Sequence, residues 1–270
     1  MNNTLLFKGL LFIALWVLIP TGFCQDVAVV NDAEEAVKEP DNLVKFKTQD
    51  DLLLAGYYYS GAEQGAGVLL LHDCADNGAS YIALAQALAD KGVHALALDL
   101  RGYGYSANVI YSHSIIKKIS KDLAMYQSEM TRITSFWESD LLSAFHYLKN
   151  KIGKDQPISV VSSGCTAPQS VYLAEKIRVQ SFVMITPKFT HMDKEKYKNL
   201  IDLPVYFLSS AHHAESYQIA KELYEWNGDS RSTMQILKGN QFGHHLFYRR
   251  EYLIDNIALW LKKTLQVKYY

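Results

Sequence analysis

Residues 158–168 read Ile-Ser-Val-Val-Ser-Ser-Gly-Cys-Thr-Ala-Pro, a β-branched run entering a cluster of very small side chains. A helical pattern follows from Gln169 to Lys176, so a strand should feed a helix through a turn too tight for bulky residues. Cys165 lies on that turn. A thiol at a helix N-terminus with a histidine nearby has a lowered pKa and nucleophilic character. Histidines occur in two adjacent pairs, His212-His213 and His244-His245, on loops expected at one edge of a sheet with His72 and Asp73 nearby. Imidazoles gathered there offer nitrogen ligands to a transition metal. No recognised metal spacing accompanies them, so His212, His213, His244 and His245 are weak candidate ligands.

The rest of the chain must supply elements that bring these residues together. At 270 residues, 49% hydrophobic and 20% charged, it suits one globular domain with a sizeable core. A formal net charge of -1 argues against a dedicated nucleic-acid binder, which needs clustered positive charge to displace counterions. Lys8 precedes an apolar run, Gly9 to Ile19, broken by Pro20 and followed by Thr21-Gly22-Phe23-Cys24-Gln25. That is the pattern of a secretory signal peptide, residues 1–24, with cleavage after Cys24. The run is too short for a stable membrane span, and the mature chain is expected to have none. A lipid-modified Cys24 is the rival reading, with bulky Phe23 against it. Export leaves Cys74 and Cys165 in a periplasmic or extracellular compartment that permits disulfides.

Residues 25–42 carry Asp26, Asp32, Glu34, Glu35, Glu39 and Asp41 against a single Lys38 and read as an acidic, disordered linker. A domain over residues 43–266 follows. Leu43–Phe46 and Leu52–Tyr59 read as a hairpin, and Val68–Leu71 and Val93–Leu100 as strands buried on both faces. Between the latter two, Tyr81, Leu84, Ala85 and Leu88 form a helical stripe that stops at Gly92. Residues 107–134 are helical in flavour but poorly patterned, an insertion in the position of a lid. Ser135 and Glu138 read as a capping box opening a helix with Trp137, Leu141, Phe145 and Leu148 on one face. Strands at Ile158–Ser162, Val179–Ile185, Val205–Leu208 and Met234–Leu237 follow, with a helix burying Ile219, Leu223 and Trp226 and a last helix at Glu251–Lys263. Alternating buried strands and amphipathic helices predict an α/β fold, a mostly parallel central sheet with helices on both faces.

One ordered set of residues is more specific. Asp99-Leu100-Arg101-Gly102-Tyr103-Gly104-Tyr105-Ser106 resembles the Asp-x-Arg-Gly-x-Gly-x-Ser turn of the α/β-hydrolase family. It follows Leu70-Leu71-His72-Asp73, similar to that family's His-Gly oxyanion segment, at the expected distance. Pro204 before a buried strand and a histidine loop before the last helix complete a likeness to its dienelactone-hydrolase-like and small esterase branches. The resemblance implies the α/β-hydrolase fold and a nucleophile–His–acid triad acting on acyl compounds.

The chain departs from that pattern where chemistry is done. His244 matches the catalytic histidine, but the acid position falls on His213, leaving Glu215 as a weak substitute. The usual register of the nucleophile motif lays Gly164 on the nucleophile, whereas a shift by one residue offers Cys165. In the first register the family's oxyanion donors would be the backbone N–H groups of Cys74 and Cys165. Two cysteines meeting there could form a disulfide across the site. Two functions remain open: a degenerate hydrolase that binds a small acyl compound or a protein partner, and an ester hydrolase using Cys165 with His244 as base. Metal binding by the histidine cluster is a third. No cofactor is implied.

Overall fold

Strands buried on both faces call for apolar or small side chains at most positions, and among the described residues five short runs are buried throughout. Two of them are β3 (Gly67–Leu71) and β5 (Ile158–Ser163). The structure is a computed structural model that describes residues 39–267. The expected signal peptide and most of the acidic linker lie outside the described residues.

The sheet opens with an antiparallel pair, β1 (Leu43–Lys47) and β2 (Leu53–Tyr59). Next come β3, helix α1 (Ile82–Asp90) and β4 (His94–Asp99). The insertion resolves into α2 (His113–Ile119) and α3 (Leu123–Thr134), ahead of α4 (Trp137–Ile152). After β5 the chain alternates through α5 (Ala167–Lys176), β6 (Phe182–Ile185), α6 (His191–Leu200) and β7 (Val205–Ser210). It ends with α7 (Ala214–Asn227), β8 (Thr233–Leu237) and α8 (Glu251–Leu265). The order across the eight-stranded sheet is β1-β2-β4-β3-β5-β6-β7-β8, parallel from β4 to β8.

Two apolar layers sandwich this sheet because successive side chains of a strand point to opposite faces. Leu69, Leu71, Val160, Phe182 and Phe207 pack on one side with Trp137, Leu141 and Leu148 of α4 and Leu223 of α7. Val68, Leu70, Val161 and Val183 pack on the other with Leu84 and Leu88 of α1 and Leu253, Ile257 and Leu261 of α8. The chain steps from β3 outward to β4, then returns past β3 to β5. Such a reversal, at the carboxyl ends of β3 and β5, is the place where ligands bind in open α/β sheets.

The Asp99–Ser106 turn proves to be a scaffold. The buried Asp99 carboxylate accepts from the N–H groups of Gly78, at 2.7 Å, and Tyr105, at 2.8 Å. A side chain on Gly104 (φ +46°) would begin 2.3 Å from Asp99 Oδ2, so glycine is needed there. Ser106 Oγ donates to the Asp99 carbonyl at 2.6 Å and accepts from Ala55 N–H at 2.8 Å, tying the turn to β2. Arg101 is fully buried and bridges Asp140 and Asp50, each at 2.7 Å, with its guanidinium 4.2 Å from the Phe136 ring centroid. Burial pushes the Asp140 carboxyl up against the pull of Arg101, while the half-exposed Asp50 is held down at about 2 by the same guanidinium. Removing one partner of such a group strands a buried charge.

Four expectations change. The capping box at Ser135 does not form: α3 runs through Thr134, and Ser135 Oγ donates to the Arg132 carbonyl instead. Trp226 points outward, 59% exposed, with its indole N–H donating to the Lys198 carbonyl. The strand expected from Val179 begins only at Phe182. Helix α6 was not anticipated because its sequence, HMDKEKYKNL, is mostly polar. It forms behind a capping box of Thr190 and Asp193 and buries Tyr197.

Candidate functional site

Strand β5 ends with Ser163 in an extended conformation, and Gly164 then takes φ +54° before the chain turns helical. Thr166 holds the turn, its Oγ1 accepting from Ser163 N–H at 3.0 Å and donating to the Ser163 carbonyl at 2.9 Å. Gly164 thus occupies the sharp strand-to-helix position, and Cys165 follows it.

The space above Gly164 is taken. A Cβ built on it would lie 1.7 Å from Asp73 Oδ2 and 3.0 Å from Phe242 Cε1. Asp73 enters from the loop after β3 and is 5% exposed. Burial pushes its carboxyl up, opposed by the N–H groups of Ala75 and Cys165 and by the positive charge of Lys188. Ala75 N–H donates to Oδ1 at 3.0 Å, whereas Oδ2 completes no well-formed hydrogen bond. A carboxylate therefore sits where the side chain of a nucleophile would project.

The two neighbouring loops are also bonded covalently. Cys74 and Cys165 form a disulfide with Cα atoms 6.0 Å apart. With its sulfur in that bond, Cys165 offers no thiolate, so the nucleophile expected from the shifted register is not present in this state.

His244 lies on the loop after β8, and its partner is not the one anticipated. Its Nδ1 meets Asp76 Oδ2 at 2.9 Å. Glu215 is exposed at the start of α7. Asp76, not Glu215, is the carboxylate that meets His244. The overlooked signal was the Asp73-x-x-Asp76 spacing directly after β3, read only as an oxyanion segment. His212 and His213 do not join the other pair: His212 is exposed and His213 packs 4.7 Å from the Phe242 ring. The group with metal-ligand spacing is instead Asp76, His244 and His245.

Strained backbone supports this meeting of loops. Gly243 has φ +57°, and its N–H donates to Thr186 Oγ1 at 2.9 Å. Thr186, a β-branched residue, itself sits at φ +42°, a costly conformation that clusters at functional sites. A Cβ on Gly243 would lie 3.3 Å from Ser163 Oγ and 3.8 Å from Asp76 Oδ2, so the loops after β3, β5 and β8 converge there. Among the described residues, the buried side-chain atoms without a hydrogen-bond partner are Asp73 Oδ2, Tyr81 Oη, Ser163 Oγ, Ser209 Oγ and Gln241 Oε1. All belong to the ends of strands or the loops at this carboxyl edge. The Tyr81 and Ser163 hydroxyls face each other, and the Cys165 N–H is directed at the Asp73 carboxyl, so this edge is lined with polar groups that approach one another without ideal geometry.

His72 fastens the β3 loop to β4. Its Nδ1–H donates to the Asp73 carbonyl at 2.7 Å, and its Nε2 accepts from Leu100 N–H at 3.1 Å. Both ring nitrogens are thereby committed to the neutral form, and burial holds the imidazole down at about 4. The unfolded chain binds a proton near the ordinary histidine value that the folded protein refuses. This contribution to stability is fully present above about pH 6.5 and is lost as pH falls toward 4. Denaturant titrations between these pH values should give a shallower slope for His72→Gln than for the parent chain. Equal slopes would remove His72 from the account.

The comparisons agree with this geometry. The family model described as "alpha/beta hydrolase fold" matches residues 67–216. The chain belongs to that family. An esterase of Pyrococcus furiosus is similar at 17% identity, with a TM-score of 0.61 over 83% of this chain and 90% of that one. A cold-adapted esterase from an Arctic intertidal metagenomic library shows 16% identity and a TM-score of 0.59 over 85% and 97%. A thioesterase domain from the curacin biosynthetic pathway shows 11% identity and a TM-score of 0.58 over 80% and 98%. At such identities the likeness concerns the fold. No curated protein matches the chain. Among the described residues no helix is long and apolar enough to cross a membrane.

Proposed function

We propose that this chain is an exported α/β-hydrolase-fold protein that forms no acyl-enzyme and instead binds a small polar molecule at the carboxyl edge of the sheet, beside the Asp73 carboxylate that fills the space above Gly164. The observation that carries the reading is the position of Asp73 Oδ2, 1.7 Å from where a Cβ on Gly164 would stand. Covalent acyl transfer in this fold needs a nucleophile at that point and an N–H pair free to receive an oxyanion. Here Gly164 carries no side chain, and the Cys165 sulfur is held in a disulfide. The polar groups of Asp73, Tyr81, Ser163 and Gln241 at this edge supply donors and acceptors for a ligand with polar groups of its own.

Export is supported by the Cys74–Cys165 bond, since structural disulfides persist in oxidising compartments. The mature chain recovered from its host should begin at Gln25 and show no alkylatable thiol before reduction. A recovered chain beginning at Met1 would count against export.

The test of function is hydrolysis of activated short-chain esters by the purified mature protein, with and without reductant. The expected rate equals that of His244→Ala under both conditions. Turnover that appears on reduction and vanishes in Cys165→Ala would overturn the proposal in favour of a thiol hydrolase. Turnover in the oxidised protein that His244→Ala abolishes would overturn it in favour of a non-covalent one.

A further inference from the structure

The residues that hold His244 in place also have the makings of a metal site. Asp76, His244 and His245 each present a ligand atom, and these atoms lie within 4.8 Å of one another. The His244 Nδ1–Asp76 Oδ2 separation is 2.9 Å. Two ligands each about 2.0–2.1 Å from a zinc ion in tetrahedral geometry stand roughly 3.3 Å apart. A metal ion could therefore replace the proton between nitrogen and oxygen with a shift of only a few tenths of an ångström. The His245 ring lies beside that of His244, with centroids 4.0 Å apart, so a second imidazole is at hand.

A second acidic residue lies close to these three. Asp73 is 5% exposed, with Oδ1 accepting from Ala75 N–H and Oδ2 over Gly164. One point, the position of a Cβ on Gly243, is 3.8 Å from Asp76 Oδ2 and 3.9 Å from Asp73 Cβ. Two acidic side chains thus stand near one another at this edge, and a divalent ion on Asp76 would offset their like charge.

We infer that Asp76, His244 and His245 form a site for a borderline divalent transition metal of the zinc class, with a fourth position open to water or a ligand donor. Two imidazoles with one carboxylate suit zinc and its neighbours and do not suit magnesium or calcium, which prefer all-oxygen shells. The inference concerns the same edge of the sheet as the proposed function but does not rest on it, because metal binding is read separately from ester turnover.

Zinc chloride titrated calorimetrically into untagged, chelator-treated mature protein tests the site. About one equivalent should bind, with His245→Ala weakening binding at least tenfold. Because His245 is exposed, its replacement should leave the thermal midpoint unchanged, so a loss of binding is not a loss of fold. His212→Ala, on the neighbouring exposed loop, should bind as the parent does. Absence of zinc binding, or His245→Ala binding as tightly as the parent, would overturn the inference whatever the ester assay reports.

Discussion

Gly164→Ser is expected to destabilise the protein by about 3–4 kcal/mol and to restore no hydrolysis. Two costs combine. The Cβ would arrive 1.7 Å from Asp73 Oδ2 and 3.0 Å from Phe242 Cε1, so a buried carboxylate and a ring must both give way. The residue would also stay at φ +54°, where a side chain is strained whatever the space. Active relatives of this fold accept that strain at the nucleophile because the space above it is open. In this chain Asp73 has closed it. The double variant Asp73→Gly/Gly164→Ser removes the obstacle, so its loss should be smaller than the sum of the single losses by 1 kcal/mol or more, a coupling of the size expected for touching residues. Urea unfolding of the four proteins measures it. Additive losses would mean that Asp73 does not occupy the space above the turn.

The second large effect belongs to the disulfide. Cys74 and Cys165 are 91 residues apart in sequence, so their bond closes a long loop in the unfolded chain. A chain-entropy argument gives about 4–5 kcal/mol for a loop of this size, and measured bonds contribute about 2–4 kcal/mol. Cys74→Ala/Cys165→Ala should therefore unfold at lower urea by about 2–4 kcal/mol, and reduction of the parent protein should reproduce the shift. A change under about 1 kcal/mol would show that the bond does not act through the unfolded chain. The same experiment bears on the site, since the bond clamps the Asp73 loop onto the Gly164 turn. Loss of the clamp also gives Cys165 its thiol, so ester assays on Cys74→Ala alone separate stability from activity.

Much of the site lay within reach of the residues themselves. Gly164 at the turn, His244 on the loop before the last helix and the nearness of Cys74 to Cys165 all follow from the order of motifs along the chain. Glu215 failed as the acid for a physical reason. Its candidacy rested on the family's usual loop after β7, whereas His244 is met by Asp76 from the loop after β3, 168 residues away in sequence. The spacing of Asp76 after β3 marks a candidate acid, but only the fold shows that the His244 loop reaches it. The four-histidine cluster failed in the same way, because adjacent loops at one sheet edge need not aim their side chains at one point. Trp226 and the Ser135 cap were misread through periodicity, which marks a face and an opening without saying how far the neighbouring helix extends.

The sequence by itself determined the fold class and the small-residue turn that carries Gly164. It could do so because each rests on local pattern: buried runs of five or six residues, and a β-branched strand entering a cluster of small side chains. Only the tertiary structure decided what stands over that turn. The Asp73 carboxylate over Gly164, the Asp76–His244 pair and the convergence of His245 on both are contacts between loops that meet because β3, β5 and β8 end at one edge of the sheet. Which atoms touch there depends on backbone conformations such as φ +54° at Gly164 and φ +42° at Thr186, which packing at that edge imposes.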